Sequence, residues 1–413
     1  MCSVVILVPI NPFFIFDVGD LVNKVIKWQQ TLPLIKPFYT VKCNDNSLVL
    51  SVLAMLGTNF NCASKGEIKK VLDLGINPSR IIFSSPAKMA SHIKYAKSTR
   101  VNMLTFDNKM ELYKIKAIHP SCELIIQIHL NPNEVQYPLN IKYGCDPYTD
   151  APILMLIAYK LGLSVVGVSF HDDSEHHKSF SSKEIITAVT HIFLFAKAIG
   201  FKNMHILNFG GGFPGNKNTS LDYVTSLVDV ILNDNLFHGV TIIAEPGRYF
   251  VASAFTLSTK IYSIGTRPSD KNHIMYFIND GVYGSFRSIF NGHSVVPKSL
   301  YEFPIRPICE SSIWGPTYDD LDQIIELVNM PLMEMGEWII FENMGAYTIS
   351  VTSEINEFSL PKIFAVANHS IWKQLKNLTS ISEDHSSIVT IVSAIKMMQL
   401  EFSKDNTQNK NDL

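Results

Sequence analysis

Lys42 stands at the end of a short apolar run, Pro37-Phe38-Tyr39-Thr40-Val41-Lys42. A lysine directly after a strand can end in a dry cavity rather than in solvent. Burial or a nearby cation lowers an amine's pKa and makes it reactive toward aldehydes. Taken alone, the ordinary reading is a solvated lysine. Three later segments change that balance: Gly210-Gly211-Gly212-Phe213-Pro214-Gly215, Glu245-Pro246-Gly247-Arg248 and Asn343-Met344-Gly345-Ala346-Tyr347. With Lys42 they supply an amine, a glycine-rich anion cradle, a carboxylate, a guanidinium and a phenol.

The triglycine run matches G-x-G-x-x-G, but Pro214 interrupts the turn and no clear helix follows at once, which argues against a dinucleotide fingerprint. A nest of backbone N–H groups for a single phosphate fits better. Arg248 can add a fork-shaped, charge-assisted contact to the same phosphate. Glu245 is either a surface carboxylate or the partner of a protonated pyridine nitrogen, a pairing that turns such a ring into an electron sink. His171, after the strand-like run Val165–Phe170, is either a packed histidine or a ring that stacks on a cofactor. His171, His176 and His177 cluster, but their loop is acidic and no metal is expected. The whole set suits pyridoxal phosphate.

These groups need a frame that gathers strand ends. Strand-like runs alternate with helical ones through the first half: Phe13–Phe16, Arg80–Phe83, Met103–Phe106, Leu124–Ile128, Val165–Phe170, His205–Phe209 and Val240–Glu245, with helical patterns at Asn46–Leu56, Lys65–Leu74 and Pro152–Leu161. That alternation means parallel βα units, and a count near eight favours a closed barrel. Lys42, His171, Gly210–Gly212 and Glu245 then fall at C-terminal strand ends, the active face of such a barrel. From about Ala252 the pattern changes to strands separated by turn clusters (Gly265–Asn272) and hairpin-like stretches (Met275–Gly281, Glu337–Asn343). The expected organisation is an α/β barrel over residues 12–252 and a mostly antiparallel β domain over 253–402. Residues 1–11 would contribute a strand at most, and 403–413 a disordered tail.

Composition excludes several classes. The 413 residues are 46% hydrophobic and 17% charged, an ordinary globular balance, and a net charge of −2 gives no electrostatic case for nucleic acid or an anionic membrane. The six cysteines show no C-x-x-C spacing, so neither zinc nor a disulfide framework is indicated and a reducing cytosol fits best. The apolar start Met1–Ile10 lacks a basic leader and is too short to span a bilayer.

The motifs resemble the eukaryotic ornithine decarboxylase family, within the pyridoxal-phosphate enzymes of alanine-racemase-like fold. The resemblance runs from about Pro12 to Ala367 and rests on PFYTVKCN at Pro37, Ser85–Asn108, VVGVSFH at Val165, GGGFPG at Gly210, AEPGRYFVASAFTL at Ala244, NDGVYGSF at Asn279, SSIWGPT at Ser311 and FENMGAYT at Phe341. It implies a (β/α)8 barrel followed by a β domain, and a cytosolic homodimer with shared active sites. Lys42 would carry the cofactor covalently and His171 would stack on its ring. Ser174, Gly210, Gly211, Gly212, Gly247, Arg248 and Tyr347 would hold the phosphate region, and Glu245 would meet the ring nitrogen. Lys142 and Asp322 hold positions that pair across the dimer, and Gly345 sits where the family needs a glycine.

The departures concern the substrate. Where the resemblance expects a proton-donating cysteine after WGPT, Tyr318 stands, followed by the retained Asp319. A Tyr-Asp pair has become Asn291-Gly292, a substrate-site phenylalanine has become Ile355, and near the cofactor an acid and an arginine have become Asn61 and Gln127. The loop after His171 is shortened. The expected activity is decarboxylation of an uncharged aliphatic amino acid such as leucine rather than ornithine, releasing carbon dioxide and an amine. The alternatives are a residual ornithine decarboxylase making putrescine and a catalytically weak regulator of polyamine synthesis resembling antizyme inhibitors. For the latter, Ser85–Asn108, with Lys88 and Lys94, corresponds to the antizyme-binding element.

Overall fold

The structure, a computed structural model, describes residues 10–130, 142–171, 182–217, 219–300, 305–352 and 360–378. The chain divides into two compact units, Lys24–Phe250 and the combination of Met1–Asn23 with Val251–Leu413. Strand β1 (Phe13–Asp17) belongs to the second of these.

The unit Lys24–Phe250 is a closed parallel barrel of β2 (Ile35–Thr40), β3 (Asn59–Cys62), β4 (Ile81–Phe83), β5 (Met103–Phe106), β6 (Glu123–Gln127), β7 (Ser164–Ser169), β8 (Ile206–Asn208) and β9 (Thr241–Ala244). Pairing of Ile35 with Ile242 and of Pro37 with Ala244 closes it. Phe38, Ile82, Ile125, Val166, Ile206 and Ile243 form one buried cluster across the strands, as the filled interior of a small barrel requires. Helices begin where side chains satisfy their first N–H groups. Asn46 caps Ser47–Met55, Ser64 caps Lys65–Asp73 and Asn108 caps Lys109–Ile118. Strands β7 and β8 approach so closely that a Cβ on Gly167 would lie 2.5 Å from the Ile206 carbonyl oxygen.

The second unit is a mixed sheet of β10 (Phe255–Arg267), β11 (Asp270–Ile278), β12 (Pro297–Ser299), β13 (Ile308–Trp314), β14 (Gln323–Pro331), β15 (Trp338–Phe341) and β16 (Lys362–Val366), ordered β12-β15-β10-β11-β13-β14. Most pairs are antiparallel, whereas β11–β13 and β1–β16 are parallel. Here the structure differs from expectation. Phe13–Phe16 is not a barrel strand: β1 lies between β10 and β16, Phe14 and Phe16 are fully buried, and Phe16 stacks on Phe255 at 4.5 Å. The expected turn cluster Gly265–Asn272 is narrower too, since β10 and β11 run to Arg267 and from Asp270. The tail 403–413 and the segment 1–9 lie outside the described residues.

Candidate active site

Each chemistry-bearing group of the barrel unit follows a strand end. Lys42 lies in a 3-10 turn, Val41–Cys43, that ends β2. The turn sends Val41 and Cys43 inward, where both are fully buried, and leaves the Lys42 side chain exposed. The dry cavity expected from the sequence is therefore absent around Lys42, because a tight turn rather than a continuing strand carries it. The turn is tied to the end of the neighbouring β9. Thr40 donates its N–H to the Pro246 carbonyl at 3.1 Å and its hydroxyl to the Glu245 carbonyl at 2.8 Å. Gly247 permits this approach, since a Cβ there would meet Cys43 Cβ at 2.9 Å and Thr40 Cβ at 3.2 Å.

His171 and the glycine run come together at the ends of β7 and β8. The Gly211 N–H donates to His171 Nδ1 at 3.0 Å. That bond makes Nδ1 the acceptor, so the proton of a neutral ring sits on Nε2. A Cβ on Gly210 would lie 2.2 Å from the Phe170 carbonyl oxygen, and one on Gly211 would lie 2.6 Å from His171 Cε1. Gly210 and Gly212 are left-handed, with φ of +62° and +92°, which suits glycine. The loop is braced from below: buried Lys24 donates to the Gly215 and Asn216 carbonyls at 3.0 and 2.7 Å, and Phe213 packs edge-on against Trp28.

Glu245 follows β9 and is partly buried. The Asn61 Nδ2 donates to its Oε2 at 2.6 Å and the Asn208 Nδ2 to its Oε1 at 2.7 Å. Desolvation raises its carboxyl pKa, opposed by the Asn208 hydrogen bond and by the charges of His171 and Lys42. A carboxylate offers about four lone-pair sites, so a ring N–H can still be accommodated. Glu67, in the capping box Ser64–Glu67, has its carboxyl pKa raised chiefly by burial, while the Ala63 N–H, the Ser64 hydroxyl and the Lys42 charge lower it. Glu67, Asn208 and Thr40 were not singled out from the sequence. The position of Asn208, two residues before the triglycine run, was the one hint for that residue.

Arg248 begins the short helix Arg248–Val251 in the barrel unit. The remaining candidates lie in the β unit. Tyr347 has a left-handed backbone, φ +55°, beside Gly345, where a Cβ would meet the Val251 carbonyl oxygen at 1.8 Å. Tyr318 is fully exposed. Asp319 accepts the Tyr283 hydroxyl and the Leu321 N–H, the latter at 3.0 Å. The loop bearing both is organised by Asp322, which is 1% exposed. Its Oδ1 accepts the Val282 N–H at 2.8 Å and its Oδ2 accepts the Thr317 N–H and hydroxyl at 2.9 and 2.6 Å. Asn291 ends a 3-10 turn, and Gly292 follows it at φ +83°. Ser174, His176, His177 and Ile355 lie outside the described residues. Among the described residues no group of three or more His, Cys, Asp or Glu could hold a metal, and no helix is long and apolar enough to cross a membrane.

Lys88, in the segment that the resemblance matches to the antizyme-binding element, is buried. Its amine meets Glu111 at 2.9 Å and donates to the Ser85 and Thr105 carbonyls. Lys94 is exposed on helix Ala90–Ser98.

Residues 18–252 match the family model of the pyridoxal-dependent decarboxylase pyridoxal binding domain. The chain is 41% identical to the mouse ornithine decarboxylase over 389 residues, 90% of this chain and 84% of that one. It is 38% identical to an antizyme inhibitor 2 of Xenopus laevis, over 89% of this chain and 84% of the relative. Among solved structures, the arginine decarboxylase of Paramecium bursaria Chlorella virus bound to agmatine matches with a TM-score of 0.79 at 29% identity, covering 86% of this chain and 96% of that one. A lysine/ornithine decarboxylase from Vibrio vulnificus with putrescine matches with a TM-score of 0.77 at 26% identity, covering 86% and 94%. A carboxylate, a glycine run and an amine at the strand ends of one barrel, joined to likeness over nine-tenths of its length, make this chain a pyridoxal-phosphate-dependent carboxy-lyase and a member of the eukaryotic ornithine decarboxylase family.

Proposed function

We propose that this decarboxylase acts on an uncharged aliphatic amino acid, leucine in particular, in preference to ornithine. The observation that carries this reading is the state of the two positions where paired carboxylates would meet a distal ammonium. Gly292 has no side chain, and Asp319 already accepts hydrogen bonds from Tyr283 and Leu321. A buried ammonium needs compensating charge. Loss of one charge-assisted contact costs about 1.5–3 kcal/mol, or roughly one to two decades of discrimination. The bulk of Tyr318 in place of a thiol also favours a shorter guest.

When bound, pyridoxal phosphate supplies an aldehyde for the substrate amine and a sink for the electrons left as carbon dioxide departs. The chain's own residues do the rest. Lys42, in the turn after β2, would hold the aldehyde carbon. Glu245 would pair with the ring nitrogen, His171 would cover the ring face, and Ser174, Gly210–Gly212, Arg248 and Tyr347 would receive the phosphate. The Gly211 N–H on His171 Nδ1 fixes that ring's orientation. Tyr318 would deliver the proton to the α-carbon, from a partner subunit if the chain forms a homodimer. A phenol of ordinary pKa about 10 is protonated at neutral pH and can donate.

A second reading, that the chain also binds antizyme through Ser85–Asn108, is favoured by its likeness to proteins named antizyme inhibitors and by the exposed Lys94. The substrate reading is tested by carbon dioxide release across the common amino acids, with borohydride reduction and peptide mapping to locate the cofactor on Lys42. Faster turnover of ornithine than of leucine overturns it. Gly292→Asp should move selectivity toward ornithine, since aspartate tolerates a left-handed backbone better than most residues.

A further inference from the structure

Asn61 and Asn208 come from strands on different sides of the barrel, β3 and β8, yet they converge on one carboxylate. Each gives one amide N–H to one Glu245 oxygen, at 2.6 and 2.7 Å. Neither amide is free to turn over. The Asn208 Oδ1 accepts the Gly210 N–H at 2.9 Å, a donor fixed by the backbone, so its Nδ2 must face Glu245. The Asn61 Oδ1 accepts the Ser84 hydroxyl, and its Nδ2 faces an acceptor-only carboxylate, with Thr40 Oγ1 at 3.4 Å as a further acceptor. Asn61 is 5% exposed and Asn208 is fully buried. The result is one continuous chain of hydrogen bonds, from Ser84 through Asn61, Glu245 and Asn208 to the first glycine of the cradle.

We propose that Asn61 and Asn208 are positioning residues that clamp the Glu245 carboxylate and couple its placement to that of the Gly210–Gly212 loop, so that the ring-nitrogen and phosphate ends of the cofactor site are set as one unit. The proposal rests on the reading of Glu245 as the ring-nitrogen partner. Neutral amides suit this task. Each donates without adding charge, leaves part of the carboxylate's acceptor capacity available, and strengthens the ionised form that a ring N–H requires. The acid that the resemblance expects at position 61 comes with an arginine at position 127; this chain has Gln127 there, and a carboxylate at 61 would face Glu245 as a second acceptor.

Asn61→Asp and Asn208→Asp keep the shape and the acceptor oxygen and, when ionised, replace the donor with a second negative charge beside Glu245. Pyridoxal phosphate is titrated into wild type, both variants, Ser84→Ala and Glu245→Gln. Affinity is read from the absorption of the bound cofactor at about pH 8 and about pH 5.5, and unfolding is followed in parallel. Each Asp variant should bind the cofactor at least about tenfold more weakly at the higher pH, the size of one lost charge-assisted bond with the repulsion of a second carboxylate added. The ratio to wild type should shrink toward one at the lower pH, where a protonated Asp donates again. A purely structural role would not show that recovery. Ser84→Ala, which leaves Asn61 in place but frees its carbonyl end, should weaken binding roughly two- to threefold, and it tests the clamp even where an Asp variant does not fold. If Glu245→Gln weakens binding and shifts the absorption while the Asn and Ser variants match wild type, the clamp is wrong and the Glu245 reading stands. If Glu245→Gln changes neither affinity nor absorption, that reading fails and the clamp falls with it. A loss in the Asp variants that is equal at both pH values also rejects the clamp.

Discussion

Adjacent glycines in the cradle should fail in opposite ways when given a methyl group. In Gly211→Ala the new Cβ would lie 2.6 Å from His171 Cε1 and 3.4 Å from the Glu245 carbonyl oxygen. Carbon atoms pack at about 3.5–4.0 Å, so the ring must retreat by roughly 1 Å. The ring is the end of a side chain and can pivot about its Nδ1 bond to the Gly211 N–H, at about 0.5–1.5 kcal/mol for an off-rotamer angle. Removal of a glycine's freedom in the unfolded chain returns about 0.4–1 kcal/mol. The net change in stability is therefore near zero, about 0–1 kcal/mol. Activity should suffer far more, because a misplacement of about 1 Å at a reacting site can cost 10²-fold. In Gly210→Ala the obstacle is backbone: the Phe170 carbonyl oxygen at 2.2 Å, with φ at +62°. The left-handed conformation costs alanine about 1–2 kcal/mol and overpacking about 1–3 kcal/mol, together about 2–5 kcal/mol. Urea unfolding of both variants, with kcat/KM for the preferred substrate and cofactor titration, separates the two cases. A Gly211→Ala protein destabilised by more than about 2 kcal/mol, or a Gly210→Ala protein as stable as wild type, would refute this reasoning about which neighbour can give way.

Burial first, and the Asp322 charge in addition, lifts the Asp280 carboxyl to about 6. A folded pKa above the unfolded one means stability fully present below the ordinary aspartate value and lost as pH rises through about 6, up to about 3 kcal/mol. Asp280→Asn keeps the Oδ1 that accepts the Gly281 and Ser285 N–H groups, so it should raise Tm at about pH 8 and flatten Tm against pH. Tyr318→Phe keeps the bulk and removes the proton; decarboxylation should slow, or aldehyde should appear in place of amine, and unchanged rate and product would leave Tyr318 as packing. Lys88→Met should cost about 2–4 kcal/mol in urea unfolding, less than for an isolated buried pair because Lys114 still meets Glu111 at 2.6 Å. Lys94→Ala should change stability by less than about 0.5 kcal/mol and weaken any antizyme binding in a direct titration.

The barrel was legible because its strands end on unmistakable groups: Lys42, His171, the glycine run and Glu245 all punctuate apolar runs at βα spacing. Strand β3 was not, because Asn59-Phe60-Asn61-Cys62 carries polar side chains on a strand whose last three residues are buried. Strand β1 was assigned to the wrong sheet, since Phe13–Phe16 is equally apolar whichever sheet receives it and the deciding partners lie some 240 residues away, at Phe255–Ser258. The hydrogen bonds on Glu245 join β3, β8 and β9, and no local pattern encodes such a meeting. Lys88 illustrates the same gap, because its burial depends on Glu111, a helix away.

The place of β1 sets an order of events during synthesis. Residues Lys24–Phe250 form one continuous stretch and can close as soon as they leave the ribosome. Strand β1, made earlier, must wait for β10 and then for β16. At about 5–20 residues per second, Phe13–Asp17 stays without its first neighbour for roughly ten seconds to a minute. Through that interval two phenylalanines destined for full burial are carried on an unpaired edge. The nascent chain is therefore most open to capture by a chaperone, or to mispairing with another copy, while the barrel is still being made and before β10 follows it.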